Sequence, residues 1–149
     1  MSSSLESLVK NLKDGEGLDA FKITKKYFDS DKLDLVTRKG VCPYDYLDSF
    51  DKFNDTCLPP KKAFYSKLYD SDIEDSEYLF AKLLWNKFNC KTMKDYLELY
   101  LKVDVFTQAD VFEAFRRVCF KNYGLDPLHY YTAPGLAWDA LFKKTGATI

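Results

Sequence analysis

Apolar residues recur at helical spacing over most of this chain. Leu5, Leu8, Val9 and Leu12 fall at i, i+3, i+4 and i+7, which predicts a short helix from Ser4 to just before Gly15. A second short helix is expected over Leu18–Phe28. Leu33 to Arg38 alternates instead and reads as a short strand or extended segment. Gly40 breaks the chain, and Pro43 is placed to open a helical turn through Tyr46 to Phe53. Leu58-Pro59-Pro60 marks a boundary, with a short helix expected over Lys61–Leu68. Asp70, Asp72, Glu74, Asp75 and Glu77 crowd the next stretch without a base, and they suit the start of a helix over about Ser76–Phe88. Thr92-x-x-Asp95 has the form of a capping box. The longest periodic run follows it, from Asp95 to Tyr123, with Gly124 as its stop. Asp126-Pro127 opens a turn, and Thr132-Ala133-Pro134 opens a last helix, Gly135–Lys144, ended by Gly146. Internal repeats, low-complexity tracts and flexible linkers are absent. The pattern predicts a mainly α chain with little sheet of its own.

The long helix holds the candidate chemistry. At about 100° per residue, Asp104 lies only about 40° around the axis from Tyr100. Leu97, Val111, Phe115 and Val118 share that arc, while Glu98, Lys102, Glu113 and Arg116 point the other way. Asp104 is therefore expected on the less exposed side of the helix. An acid inside an apolar stripe is costly unless something pairs with it. A divalent cation is one such partner, and a tyrosine one turn away can orient a water beside it. The plainer alternative is a capped or paired structural acid, bonded to a tyrosine or a lysine. Spacing alone leaves both open.

Composition narrows the classes. The 149 residues match one ordinary domain, and 46% hydrophobic and 17% aromatic content supplies ample core. A formal charge of −1 argues against a free-standing nucleic-acid binder, though not against a local basic surface within a larger protein. Cys42, Cys57, Cys90 and Cys119 are scattered and the single histidine is His129, so a zinc site is not expected. The cysteines read as reduced core residues of an intracellular protein. No 18-residue apolar run exists, so no membrane span is expected, and the start of the chain does not resemble a secretory signal. Asp72-Ile73-Glu74 has the D-x-E form of a metal pair, but no apolar strand precedes it and helix capping explains it better. Arg116, Arg117 and Lys121 can meet phosphate; cations near a helix C-terminus are the simpler account. Lys22, Lys25, Lys26, Lys32, Arg38 and Lys39 read as a solvated face diluted by Asp29, Asp31 and Asp34. Tyr130, Tyr131 and Trp138 can stack on bases, with core packing favoured; His129 reads as structural.

Longer strings go beyond spacing. Arg38-Lys39-Gly40-Val41 and Pro43-Tyr44-Asp45-Tyr46 are followed by Leu58-Pro59-Pro60-Lys61 and Ala63-Phe64-Tyr65-Ser66-Lys67-Leu68. Then come Leu99-Tyr100-Leu101-Lys102, Asp104-Val105, Ala109-Asp110-Val111-Phe112, Tyr123-Gly124-Leu125-Asp126-Pro127 and the run from His129-Tyr130-Tyr131-Thr132-Ala133-Pro134-Gly135 to Leu141. With these the chain resembles a family B DNA polymerase of the protein-primed type carried by self-synthesising transposons of the Polinton or Maverick kind. The resemblance covers nearly the whole chain. It implies that residues 1–125 are the C-terminal, helical part of an RNase-H-like 3′-5′ exonuclease domain and that residues 126–149 start the polymerase region. In that family Y-x-x-x-D is the third exonuclease motif. By resemblance, Asp104 would ligate one of two divalent metals, Mg²⁺ or Mn²⁺, and Tyr100 would position the attacking water. The first motif, a D-x-E on a strand, and the second, an Asn followed by an aromatic-Asp pair, are expected upstream of residue 1. Asn54-Asp55 lacks the context of the second. The palm carboxylates are expected beyond Ile149. The implied partners are DNA, deoxynucleotides and the rest of the polymerase chain, in an intracellular and nuclear setting, and no residue is assigned to DNA contact. This chain alone is expected to hold no metal and to be inactive. The competing expectations are a non-catalytic helical remnant that binds protein or DNA and, weakest, a minimal nuclease working alone.

Overall fold

The structure, a computed structural model, describes residues 4–147 and is mainly helical. Helix α1 (Leu5–Glu16) starts where the Ser4 hydroxyl accepts the Ser7 N–H, and ends at Gly17, whose φ of +73° requires glycine. The single helix expected over Leu18–Phe28 is broken. A 3₁₀ turn at Leu18–Ala20 is followed by α2 (Thr24–Tyr27). The break has a physical cause. Phe21 is fully buried, and the Asp110 carboxylate takes the N–H groups of Ile23 and Thr24, leaving a continuous helix no need to bond them internally. Leu33–Arg38 is not extended either: Leu33–Val36 form a single helical turn, α3. That turn aims both Leu33 and Val36 into the core, and the Thr37 hydroxyl closes it on the Leu33 carbonyl at 2.8 Å.

Pro43 opens a turn whose carbonyl accepts the N–H groups of Tyr46 and Leu47, and a 3₁₀ segment follows at Phe50–Asn54. The helix expected over Lys61–Leu68 is only a 3₁₀ turn, Lys61–Phe64. It stops once Phe64 is buried, and Ser66 then pairs with Ser71 in an antiparallel bridge across Asp70, whose φ is +48°. Helix α4 (Asp75–Lys87) is capped by Glu74 and Glu77, so Glu74 of Asp72-Ile73-Glu74 serves a helix start. Helix α5 (Met93–Tyr123) has Thr92 and Asp95 as a reciprocal capping box and Gly124 at φ +61° as its stop. A short 3₁₀ turn at Pro127–His129 leads to α6 (Ala133–Thr145), capped by Thr132.

At 31 residues α5 spans about 46 Å and is the spine of the molecule. Two core clusters lie along it. Near its N-terminal half, Met93, Tyr96, Leu99 and Val103 pack with Leu33 and Val36 of α3 and with Phe80 and Leu84 of α4. Near its middle, Ala114 packs with Val9 and Leu12 of α1 and with Phe21. The buried face of α5 is thus Tyr96, Leu99, Val103, Thr107, Asp110 and Ala114. It is turned by about 90° from the arc of Leu97, Asp104, Phe115 and Val118 that the sequence singles out. Phe115 and Val118 are 47% and 50% exposed. The helix carries two apolar faces, and the core takes the other one.

Candidate functional site

Asp104 lies on that second arc, half-buried at mid-helix. It borders a cavity of about 250 Å³ walled by Leu5, Glu6 and Val9 of α1, by Val36, Arg38 and Lys39, and by Tyr100, Val103 and Thr107 of α5. The cavity exists because α1 crosses α5 while the chain leaving α3 passes beside Tyr100. Gly40 lies against the Tyr100 ring, 3.6 Å from where a Cβ would stand.

Burial pushes the Asp104 carboxyl above the usual carboxylate range, and the Tyr100 hydroxyl and the Lys39 ammonium hold it back down. Burial, the Tyr44 hydroxyl and the Asp104 charge all push the Tyr100 hydroxyl up, so it stays a proton donor at any ordinary pH. The Tyr44 ring meets the Tyr100 ring edge-on, with centroids 5.9 Å apart and planes at 85°. Burial, with a smaller contribution from Asp104, pushes the Cys42 thiol up to about 12. At neutral pH it is a thiol and no nucleophile. Lys39, Cys42 and Tyr44 were not singled out as site residues beside Asp104. Their signal is the run Lys39-Gly40-Val41-Cys42-Pro43-Tyr44, whose glycine and proline turn the chain past α5.

The cavity is lined by two carboxylates, Asp104 and Glu6, one protonated phenol, the Lys39 ammonium and the Arg38 guanidinium. Among the described residues, no group of three or more His, Cys, Asp or Glu side chains is placed to hold a metal ion. Mg²⁺ wants several oxygen ligands, and two carboxylates from different helices beside a lysine and an arginine do not provide them. The residues present do not by themselves fit a divalent site.

The most buried acid is a different one. Asp110, 1% exposed, accepts the Ile23 N–H at 2.8 Å, the Thr24 N–H at 2.9 Å and the Thr24 hydroxyl at 2.7 Å. It caps α2 from across the fold. The signal for it was present: Asp110 shares a helical face with Tyr96, Leu99, Val103 and Ala114.

The remaining candidates are placed as follows. Arg116 is engaged by Asp126, at 2.6 and 2.9 Å, and by Glu113 at 2.9 Å; Arg117 pairs with Glu16 at 2.9 Å. Lys25 and Lys32 pair with Asp19 and Asp29, and Arg38 lies 4.3 Å over the Phe80 ring. Lys22, Lys26 and Lys121 are exposed. Tyr131 and Trp138, expected in the core, are fully exposed and 58% exposed, because α6 buries only Leu136 and Ala140. The Tyr130 hydroxyl donates to Asp139, and His129 is exposed. Cys90 and Cys119 are buried, but Cys57, also expected in the core, is exposed; all four cysteines are free. Among the described residues no helix is long and apolar enough to cross a membrane. Compared with protein-family models, with curated proteins and with solved structures, the chain matches none.

Proposed function

We propose that this chain is the C-terminal helical part of a 3′-5′ proofreading exonuclease domain, with the start of the polymerase region, from a family B DNA polymerase of the protein-primed transposon type. The observation that carries the reading is the half-buried Asp104 one helical turn from Tyr100, with both facing one cavity. An acid kept partly dry, beside a phenol that stays protonated, is costly to maintain and is characteristic of working sites. In this reading Asp104 is one negative group of a larger carboxylate set. Tyr100 donates its proton to a water or an oxygen beside that set. Lys39, whose ammonium lies within the field of Asp104, meets a phosphate oxygen. The metal-binding carboxylates that the chemistry also needs belong to other parts of the proposed parent enzyme.

A second reading has its own support. The uncovered apolar face of α5 suits a helical module retained for binding rather than for catalysis. Assay of the purified chain separates a fragment from a self-sufficient nuclease. With Mg²⁺ and a single-stranded 3′ end, no nucleotide release above background is expected. Mg²⁺-dependent release that disappears in Asp104→Asn overturns the fragment reading.

A further inference from the structure

A groove of about 690 Å³ runs along the side of α5 turned away from Asp104. Its α5 wall is Asp95, Glu98, Leu99, Lys102 and Phe106, at i, i+3, i+4, i+7 and i+11, a run of about 16 Å. Lys102 and Phe106 each lie about 160° around the axis from Asp104. At one end the Tyr27 and Phe106 rings stack, with centroids 4.1 Å apart and planes at 8°. Tyr27 nevertheless stays 63% exposed. Phe28 braces the stack by meeting Phe88 and Phe106 edge-on, with centroids 5.8 and 6.1 Å away. Lys32, Lys91 and Lys102 line the groove with Asp29, Asp95 and Glu98, so its formal charge balances. Their commitments do not. Asp95 is taken by the N–H groups of Lys91 and Thr92, at 2.8 and 3.0 Å, and Asp29 by Lys32 at 2.8 Å. Glu98 is shared between Lys94 at 4.0 Å and Lys102 at 3.6 Å. Lys91 is exposed and, among the described residues, forms no ion pair.

We propose that this groove is a nucleotide-binding site, with the base laid on Tyr27 as a third ring of the stack and its phosphate at Lys102. The inference stands whether or not Asp104 serves a metal, because the groove shares no residue with the Asp104 cavity. Its volume falls within the range of small-molecule clefts, about 300–1,000 Å³. A flat ligand is favoured because an exposed ring already backed by a second ring offers a stacking surface, and stacking accepts any base. A negative ligand is favoured because each acid of the groove has a partner, while Lys91 has none and Lys102 shares one. Lys102 stands one helical turn, about 6 Å, from Phe106, close to the separation of a base from its own phosphate. Lys91, at the far end, is left for a second phosphate, either of a diphosphate or of the next nucleotide in a strand. An uncharged aromatic would leave both lysines unmatched, and a plain anion would leave the stack unused.

Calorimetric titration of the purified chain in EDTA, which keeps any metal site empty, tests this. Saturable binding of dAMP with a Kd below about 1 mM is expected. Tyr27→Ala should weaken it at least about fivefold, while Tyr27→Phe, which keeps the ring, should not. Lys102→Ala should weaken dAMP and leave deoxyadenosine unchanged. Lys91→Ala should weaken dADP and the dinucleotide pdApdA but not dAMP. All three side chains are exposed, so helical content and thermal unfolding should be unaltered in these variants. Tighter binding of dADP than of pdApdA assigns the groove to a free nucleotide; equal or weaker binding assigns it to a strand. Absence of saturable dAMP binding, full binding by Tyr27→Ala, or ribose 5-phosphate binding as well as dAMP overturns the proposal. Binding that needs Mg²⁺ or disappears in Asp104→Asn places the nucleotide in the Asp104 cavity and overturns it as well. Unchanged dADP and pdApdA affinity in Lys91→Ala overturns the second phosphate contact.

Discussion

Two aspartates six residues apart on α5 live under different physics. Asp110 has given up water entirely and recovered three hydrogen bonds in return. Removing it strands two N–H groups and a hydroxyl in a dry place, so Asp110→Ala should cost about 3 kcal/mol in urea unfolding. Asp110→Asn should cost less, because an amide oxygen still accepts. Equal loss in both variants would mean that charge, rather than acceptance, is what the site needs. Asp104 is the opposite case. It keeps part of its exposure, and burial raises its proton affinity while Tyr100 and Lys39 resist the rise. The contrast is between an acid whose hydrogen bonds are filled by the fold and one that keeps part of its exposure toward a cavity.

At the scale of elements, the C-terminal end of α5 is held by chemistry rather than by apolar burial. Arg116 grips Asp126 through two nitrogens, and Asp126 also accepts the Leu128 N–H at the start of the next turn. The guanidinium, followed by that N–H, lowers the Asp126 carboxyl to about 2. A lowered folded-state value favours the folded chain above the unfolded carboxyl's ordinary value, near 4. That contribution is lost as pH falls from about 4 towards 2. Asp126→Asn should therefore lower the melting temperature at pH 7, and the two curves should converge near pH 2. A difference that persists unchanged at pH 2 would show that the Leu128 contact, not the ion pair, carries the effect. The other end of α5 relies on local capping by Thr92 and Asp95, which is why its start could be read directly from a four-residue pattern.

At the scale of the molecule, α5 has a core on one side and an open apolar face on the other, with Asp104 half-buried on that second arc beside the cavity. In the proposed parent enzyme, a product of the gene extended upstream to include the other exonuclease carboxylates, Asp104→Ala should lower 3′ end degradation by at least about 10²–10³ and leave primer extension largely intact. Tyr100→Phe should cost less, since it removes one donor and no charge. Equal loss of both activities in Asp104→Ala would assign Asp104 to the fold alone.

Much of this protein is decided locally. The caps Ser4, Thr92 and Thr132 and the stops Gly17, Gly124 and Gly146 act through bonds within a few residues of themselves. The three long helices with such caps, and the mainly helical class, were legible from the chain alone, as was the closeness of Tyr100 to Asp104, although α1 runs through the expected stop at Gly15 and ends at Gly17. Tertiary packing decided the rest. The segment 18–28 broke because Asp110, more than eighty residues away, takes two of its N–H groups. Leu33–Val36 coiled because one helical turn brings Leu33 and Val36 to the same side, where an extended run would point them to opposite faces. Lys39 and Tyr44 reached the Asp104 site because the chain leaving α3 turns across α5. Which of the two apolar faces of α5 became the core could not be read from periodicity, because periodicity places residues around one helix and only the neighbouring elements determine which side is covered.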